Sequence, residues 1–466
     1  MLPVIAIVGR PNVGKSTLFN RLSGTKDALV ADFEGLTRDR IYGYLSNDRF
    51  QSILIDTGGL VHDHGDLSNV IQEQTLLAIQ ESDLILFVVD GREGLVSNDL
   101  EIARTLRKEN KPIIVVINKT EGLPEDSIDT DFLKFGFREI MKVSAIRGDQ
   151  CDALTKKIAC FLDEAFEENE LLELPDETTS IALIGRPNVG KSTFINSLIR
   201  ENRLLTQNKP GTTRDSIYVD FKYKNRELVL IDTAGIRRRK NINLDIEKFS
   251  IVKALQAVEL SDSVIVLIDG LEGITDQDLS LIGLVLKNER ALTIAVNKLD
   301  ALTDEQIENI ERQIRRKLKF VNFVDINNVS ALTKENITLV LKSAIDAADI
   351  SLKTIPTSQL SKLIEDMVES DPPPYNQGRR IKLKYAHQAG SQPPMFIIYG
   401  TQTKKLRANY KKFIENRIRN YFSFWGTPIR LIFKDSSNPY AEKKNKLSFR
   451  QWKKRKRIIR LRKKKK

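Results

Sequence analysis

The chain has 466 residues, a formal net charge of +12 and two cysteines. Its length is typical of about three domains. No apolar run approaches the ~18–20 residues of a membrane-spanning helix, so we expect no stable membrane association. The first strand begins directly after Met1, which leaves no room for a signal peptide and favours a cytoplasmic protein. Cys151 and Cys160 lack metal or redox spacing and are predicted to be reduced and structural.

A phosphate-binding loop follows the first predicted strand, Val4 to Val8. The sequence fits G-x-x-x-x-G-K-[ST], in which backbone N–H groups surround phosphate oxygens, the lysine reaches the terminal phosphates and the serine hydroxyl holds Mg²⁺. The loop consists of Gly9, Arg10, Pro11, Asn12, Val13, Gly14, Lys15 and Ser16. A strand before it and a helical pattern after it are the context that the motif requires, so we predict a nucleoside triphosphate site.

Two further segments in this first part of the chain contain residues to which we assign roles in catalysis. Thr37 is placed to bind Mg²⁺ when the terminal phosphate is present, and a later strand ends at Asp56, Thr57, Gly58, Gly59 and Leu60. Catalysis of phosphoryl transfer is mainly positioning and charge stabilisation, so Asp56 would hold the metal through water and Gly59 N–H would contact the phosphate. Leu60 stands where many enzymes with this loop have a water-orienting glutamine, and we therefore expect slow intrinsic hydrolysis. Asn12 is predicted to help coordinate a stimulating K⁺ ion.

The last segments of the first repeat indicate a purine pocket. They are Asn118, Lys119, Thr120 and Glu121, followed by Ser144 and Ala145. The first four resemble the N-K-x-D signature of GTP-binding proteins, with Glu in place of Asp. The added methylene must shift the bidentate contact to guanine, so we expect weaker affinity or discrimination at this site. A pocket that does not bind guanine is the alternative.

Each of the motif segments described above occurs again later in the chain, and the sequence of the phosphate loop is identical in the two copies. The loop is Gly185, Arg186, Pro187, Asn188, Val189, Gly190, Lys191 and Ser192, and the later segments are Thr213, then Asp232, Thr233, Ala234, Gly235 and Ile236, then Asn297, Lys298, Leu299 and Asp300, then Ser330 and Ala331. We assign the same roles: Lys191, Thr213, Asp232 and Gly235 in catalysis, Ser192 and Thr213 toward Mg²⁺, and Asn188 toward K⁺. Here N-K-x-D is complete. Adenine would leave the Asp300 carboxylate unpaired, which is costly, so GTP is predicted.

Apolar runs that end at these motif segments alternate along the chain with helical patterns. This alternation predicts α/β domains with mostly parallel sheets, which bind ligands at the carboxyl ends of their strands. A repeat of this length is a duplicated domain. We therefore predict one P-loop GTPase (G) domain at 1–166, an acidic linker at 167–178 and a second G domain at 179–352.

Residues 353–435 predict a small α+β domain, and 436–466 form a basic tail. The order of helix, two strands, long helix and strand suits a KH-like fold, but no G-x-x-G clamp for single-stranded nucleotides is present. In the long helix we expect Tyr410, Phe413 and Tyr421 to share part of one face, and basic residues including Arg419 to cover the remainder. Residues 355–433 carry a net charge of +8 and 434–466 carry +14, against −10 for 1–354. Basicity concentrated at one end predicts contact with nucleic acid.

The tandem G-R-P-N-V-G-K-S loops, the segments GLTRDR at 35–40 and GTTRDS at 211–216, and the basic C-terminal domain together resemble the EngA (Der) family. These are bacterial GTPases with two G domains followed by a KH-like domain. The resemblance covers essentially the whole chain. It implies a K⁺-stimulated, Mg²⁺-dependent GTPase of the bacterial cytoplasm that acts in assembly of the large ribosomal subunit. It also implies nucleotide-dependent binding of rRNA and the ribosome, with GTP and GDP as ligands. Nothing in the sequence demands more than a monomer.

Two other functions stay open at this point. One is an RNA-binding scaffold whose nucleotide sites are mainly structural, and the other is a metabolic or RNA-modifying enzyme gated by GTP hydrolysis. A separate hypothesis concerns residues 237–240, which are Arg-Arg-Arg-Lys directly after Ile236. GTP would reposition this basic loop only in the second G domain and bring it to RNA or to the KH-like domain.

Overall fold

The structure is a computed structural model of the whole chain. It describes residues 2–24, 41–46, 50–57, 76, 78–123, 129–166, 178–201, 218–224, 226–232, 251–375 and 381–435. Two compact units are present: Met1–Leu352 with Phe424–Pro428, and Lys353–Ser423 with Ile429–Lys466. The five-segment division of the chain given above stays a prediction.

The first sheet of the first unit has six strands in the order β2-β3-β1-β4-β5-β6, and all neighbours are parallel except β2 and β3. Its strands are β1 (Val4–Val8), β2 (Ile41–Ser46), β3 (Gln51–Asp56), β4 (Leu84–Asp90), β5 (Ile113–Asn118) and β6 (Glu139–Lys142). The associated helices are α1 (Lys15–Leu22), α2 (Ser97–Leu106), the single turn α3 (Asp129–Phe132) and α4 (Cys151–Phe166).

The second sheet repeats this arrangement, with the order β8-β9-β7-β10-β11-β12 and only β8 and β9 antiparallel. Its strands are β7 (Thr179–Gly185), β8 (Tyr218–Tyr223), β9 (Arg226–Asp232), β10 (Ser263–Asp269), β11 (Ala291–Asn297) and β12 (Ile326–Asn328). The helices are α5 (Lys191–Glu201), α6 (Ile251–Glu259), α7 (Asp276–Lys287), α8 (Asp304–Lys317) and α9 (Ile337–Leu352).

The central strands of both sheets are covered on both faces. All residues of β1, β4, β7, β10 and β11 are buried, as expected for parallel strands between two helical layers. The register then brings polar strand ends to one edge: Asp90 is aligned with Asn118, and Asp269 with Asn297. This edge is where open α/β sheets bind their ligands.

The second unit contains a three-stranded sheet in the order β13-β14-β15, antiparallel between the first pair and parallel between the second. Its elements are α10 (Thr357–Ser370), β13 (Lys382–Gly390), β14 (Met395–Thr401), α11 (Ala408–Phe422) and β15 (Arg430–Asp435). The predicted fold class is confirmed: two mostly parallel α/β domains are followed by an α+β region.

The buried face of α11 differs from the prediction. Ile414, Ile418 and Phe422 are buried, whereas Tyr421 is 64% exposed. Arg419, which we expected on the basic surface, is only 2% exposed, and its guanidinium lies 3.3 Å from Glu415. The stripe of Ile414, Ile418 and Phe422, spaced four residues apart, therefore determines which face of the helix packs.

No helix within the described residues combines the length and apolar character needed to span a bilayer. Cys151 is buried, Cys160 is exposed, and both are free.

Candidate nucleotide sites

The two phosphate loops share one backbone geometry between a strand and a helix. Gly14 and Gly190 have φ of 93° and 96°, and a Cβ at either position would lie within 2.4 Å of the asparagine side chain behind the loop. Asn12 and Asn188 also have positive φ, 65° and 64°. A left-handed conformation with no room for a Cβ requires glycine, so Gly14 and Gly190 are both needed for the shared shape of the two loops.

The loop lysines are held by the loop itself. Lys15 Nζ donates to the carbonyl oxygens of Gly9 (2.8 Å) and Arg10 (2.6 Å). Lys191 Nζ makes the same pair of contacts with Gly185 (3.1 Å) and Arg186 (2.7 Å). Burial lowers the pKa of Lys15 to about 8, although the neighbouring Asp56 carboxylate raises it in part. A phosphate group at the loop would replace these carbonyl oxygens as the partner of the ammonium group.

The loop arginines are fixed by carboxylates that the sequence analysis did not identify. Arg186 Nε lies 3.1 Å from Asp278, and its Nη1 lies 2.7 Å from Glu272. Arg10 contacts Asp99 and Glu93 in the same way, at 3.3 Å and 2.6 Å. The signal that was available is repetition, because an aspartate follows the end of β4 and of β10 at the same spacing.

The asparagines of the purine segments connect two loops within the protein. Asn118 Nδ2 donates to the Val13 carbonyl (2.9 Å), and its Oδ1 accepts from Ala145 N–H (3.0 Å). Asn297 makes the equivalent bonds with Val189 and Ala331, both at 2.8 Å. Both ends of each amide are thus satisfied by protein, and the side chain ties the phosphate loop to the Ser-Ala turn.

The lysines that follow them lie over the same edge of the sheet. Lys119 Nζ pairs with Asp90 at 2.6 Å and donates to the Asn12 carbonyl at 2.7 Å. Lys298 Nζ pairs with Asp269 at 2.5 Å. Burial alone would raise the pKa of Asp90, but the bond from Lys119 and two backbone N–H groups bring it below its usual value.

The two purine pockets differ at the carboxylate. Asp300 accepts a hydrogen bond from the Ser330 hydroxyl at 2.5 Å. Glu121 instead pairs with the Arg92 guanidinium at 2.5 Å, and the Ser144 hydroxyl is the main cause that lowers the pKa of Glu121. Leu271 stands at the position of Arg92 in the second copy. Arg92 is therefore a second difference between the pockets, and the sequence analysis did not identify it.

The remaining predicted residues fall into two groups. Asp56 is fully buried at the end of β3, the Thr57 hydroxyl donates to the Ile7 carbonyl at 2.8 Å, and β9 ends at Asp232. Ser16 and Ser192 lie in the first turns of α1 and α5, directly after the loop lysines. Outside the described residues lie Thr37, Gly58, Gly59, Leu60, Thr213, Thr233, Ala234, Gly235, Ile236 and the basic segment 237–240.

The described residues contain no cluster of three or more His, Cys, Asp or Glu side chains that could hold a metal ion. Mg²⁺ at a nucleotide site usually keeps several waters and takes one or two protein ligands besides the phosphates. The donor set here fits that pattern, because each loop ends in a serine hydroxyl and Asp56 is within the same strand-end edge.

A phosphate loop, an N-K-x-D-type segment and a Ser-Ala turn at the carboxyl edge of a parallel sheet define the P-loop GTPase domain, present here twice. Residues 4–119 and 180–298 match the family of 50S ribosome-binding GTPases, and 354–434 match the C-terminal KH-domain-like region of EngA bacterial GTPases. GTPase Der of Legionella pneumophila (strain Lens) is 44% identical and GTPase Der of Psychromonas ingrahamii is 43% identical, each alignment covering 100% of both chains. The chain belongs to the Der (EngA) family of GTPases.

Two solved structures are similar to parts of this chain. Era from Aquifex aeolicus bound to GDP and AlF4⁻ is 20% identical, with a TM-score of 0.31 over 71% of this chain and 93% of that chain. The G domain of the iron transporter FeoB from T. maritima is 22% identical, with a TM-score of 0.26 over 36% of this chain and 98% of its own.

Proposed function

We propose that this protein binds and hydrolyses GTP at two sites and acts in assembly of the large ribosomal subunit. The observation that carries the proposal is the duplicated site geometry, in which each loop lysine, loop arginine and purine-segment asparagine has the same partners in both copies. A copy that had lost its function would be free to lose these buried polar contacts. The ribosomal role rests on membership of the Der family and on the 50S ribosome-binding GTPase match.

In each site the protein mainly positions the phosphates. The loop N–H groups and Lys15 or Lys191 bind them, while Ser16 with Thr37, or Ser192 with Thr213, would hold Mg²⁺. Asp56 or Asp232 would orient the water ligands of that ion, and the N–H of Gly59 or Gly235 would contact the terminal phosphate. The bound Mg²⁺ neutralises charge that develops on the phosphoryl oxygens.

Neither copy has a glutamine at the position of Leu60 or Ile236. A monovalent cation would then supply part of the charge stabilisation. The side chains of Asn12 and Asn188 are exposed beside the phosphate loop, where an amide oxygen can contribute to K⁺ coordination. We therefore include K⁺ as an activator.

Membership of the family supports a proposal for the cellular setting. We propose that the protein acts as a monomer in the bacterial cytoplasm, with rRNA and the large ribosomal subunit as partners and with affinity set by GTP or GDP. Hydrolysis would time its release from the assembling particle.

The test is GTP turnover in K⁺ or Na⁺, with and without purified large ribosomal subunits, for wild type, Lys15→Ala and Lys191→Ala. We expect K⁺-dependent turnover that each substitution reduces to a different extent, together with nucleotide-dependent binding to subunits. Absence of turnover in every condition, with subunit binding indifferent to nucleotide, would leave an RNA-binding scaffold and overturn the proposal.

A further inference from the structure

Three aromatic side chains form a row on the sheet of the second unit. The rings of Tyr385 and Tyr399 stack with centroids 4.6 Å apart and planes 9° apart. His387 stacks on Tyr399 with a centroid distance of 5.6 Å and an angle of 20°. Tyr399 is thus in contact with both of the other rings. A ring at the end of such a row keeps one π-face that no ring of the row covers.

The register places this row on the outer face of the sheet. Tyr385 is paired with Tyr399, and Tyr399 with Lys434. Side chains alternate between the two faces along a strand. Phe396 and Ile398 of β14 therefore point to the face opposite Tyr399, and both are fully buried. Tyr385 is 45% exposed. The aromatic row is therefore not part of the core of this unit.

Basic residues surround the row. Lys434 is paired with Tyr399, and Lys382 is paired with Thr401, which lies two residues from Tyr399 on the same face of β14. Both lysines are exposed. Arg430, also exposed, begins β15. A stacking surface flanked by positive charge matches the requirements of single-stranded nucleic acid, whose bases stack on aromatic rings while its phosphates meet cations.

We propose that this outer face, made of Tyr385, Tyr399 and His387 with Lys382 and Lys434, binds single-stranded RNA. A base stacks on the face of the Tyr385 ring that Tyr399 does not cover and extends the row, and the flanking phosphates lie against the lysines. The proposal rests on the proposed RNA-binding function and assigns it a surface. This surface could bind single-stranded RNA although the sequence lacks the G-x-x-G clamp, because aromatic stacking tolerates any base and needs no backbone clamp.

The test uses the full-length protein with GDP and Mg²⁺, and a fluorescein-labelled oligo(A) of about 12 nucleotides, a length in the range of single-strand site sizes. Anisotropy titrations at about 0.15 M salt limit long-range electrostatic attraction to the basic tail. We expect Tyr385→Ala to weaken binding about fivefold to a hundredfold, the range for loss of one base-stacking residue. Tyr385→Phe keeps the ring and should bind as wild type does.

Two controls separate stacking from a general loss of affinity or structure. Tyr421→Ala removes another exposed tyrosine of this unit, on α11, and should leave binding unchanged. A fully paired RNA duplex of equal length offers no base for stacking, and its affinity should not respond to Tyr385→Ala. Equal loss for duplex and single strand would overturn the proposal, as would wild-type affinity in the Tyr385→Ala protein.

Photocrosslinking identifies which residues contact the RNA. Oligonucleotides containing 4-thiouridine are irradiated with the protein, and the adducts are located by mass spectrometry. Adducts on the peptide of Tyr385 or Tyr399 support the surface, and adducts confined to residues 436–466 overturn it. GTP turnover of each variant is measured in parallel. If wild type neither binds RNA nor turns over GTP, the proposed function fails, whereas normal turnover with unchanged RNA affinity in Tyr385→Ala defeats this surface alone.

Discussion

Arg92 and Glu121 together distinguish the first purine pocket from the second. In the second copy their positions are occupied by Leu271 and Asp300. The guanidinium of Arg92 neutralises the carboxylate that guanine would have to engage through its ring N–H and amino group. A guanine at the proposed first site would have to compete with Arg92 for this carboxylate, whereas at the proposed second site it would compete with the uncharged Ser330 hydroxyl.

Arg92→Leu should consequently raise the affinity of the first site for GDP. We expect a gain of about twofold to fivefold, because Arg92 is 54% exposed and such ion pairs contribute at most about 1 kcal/mol. Binding is measured by calorimetry in a Lys191→Ala background, which silences the second site. The matched control is Leu271→Arg in a Lys15→Ala background, which should weaken GDP binding at the second site. A lower affinity in Arg92→Leu would mean that Arg92 orients Glu121 rather than competing for it.

The lowered pKa of Lys15 predicts proton-linked binding at the first site. An anionic phosphate favours the charged ammonium and raises its pKa again, so nucleotide binding takes up protons near pH 8 and above, and affinity falls as pH rises through about 8. For folding, the contribution of Lys15 to the pH dependence of stability has the opposite sign to that of a lysine whose pKa is raised by an ion pair. Because the folded pKa is below the unfolded value of 10.5, the native state binds fewer protons between these values, and stability gains as pH rises through this window.

Calorimetry of GDP binding at about pH 8.5 in two buffers of different ionisation enthalpy measures this uptake. The protein carries Lys191→Ala so that only the first site reports. The same titration at about pH 6.5, where Lys15 is already charged, should show no uptake that depends on Lys15. Equal proton uptake at both pH values would contradict a Lys15 origin.

At the level of elements, the sequence predicted the strands best. The apolar run Val4–Val8 was predicted as a strand and forms β1, and the runs that end at Asp56 and Asn118 form β3 and β5, so the polar residues that end these runs identified the edge of the candidate site. The predicted place of Arg419 on the basic surface of α11 was wrong, because Arg419 lies beside the packed stripe of Ile414, Ile418 and Phe422 and is buried with it. The ion pair of Arg186 was missed although the spacing of its aspartate repeats in both copies, and the ion pair of Arg92 was not predicted because its partner lies on a distant element and no second copy repeats it.

Residues at the start of α7 both cap the helix and hold Arg186, and substitutions can distinguish these two roles. Thr275 and Asp278 form a reciprocal capping box, while the Asp278 carboxylate also holds Arg186. Thr275→Ala removes the cap and should cost about 1 kcal/mol of the free energy of unfolding, with nucleotide affinity unchanged. Asp278→Asn leaves a buried guanidinium with a weaker partner and should cost about 3 kcal/mol.

Asp278→Asn should also weaken nucleotide binding at the second site by about tenfold to a hundredfold, because the loop that positions Lys191 loses its fixed arginine. Denaturant unfolding and mant-GDP binding in a Lys15→Ala background give the two readouts. Asp278 is a positioning residue if affinity and stability both fall. If only stability falls, its role is confined to the helix cap.

At the scale of the molecule, the two nucleotide domains are physically continuous. They belong to one compact unit, and one apolar cluster contains residues of both sheets. Polar contacts accompany it: the Tyr44 hydroxyl donates to Asn288 Oδ1 at 3.0 Å, and Gln256 Nε2 donates to the Leu2 carbonyl at 2.8 Å. Burial, and next the Glu259 carboxylate, raise the pKa of Tyr44, so this hydroxyl stays a neutral donor over the physiological range.

The charge of the molecule is divided along the chain, and this division predicts how binding responds to salt. Residues 436–466 contain 15 Lys and Arg against one acidic residue, so their removal reverses the sign of the net charge. Each phosphate neutralised contributes a slope of about −0.7 to −0.9 to log K against log salt concentration. If the tail meets five phosphates, its removal should make the slope for binding to large ribosomal subunits shallower by about 4. Turnover of GTP without subunits should not change, and a full-length chain with these Lys and Arg residues replaced by Gln should match the truncation. An unchanged slope would place the phosphate contacts on residues before 436, which include the basic outer face of β13 and β15.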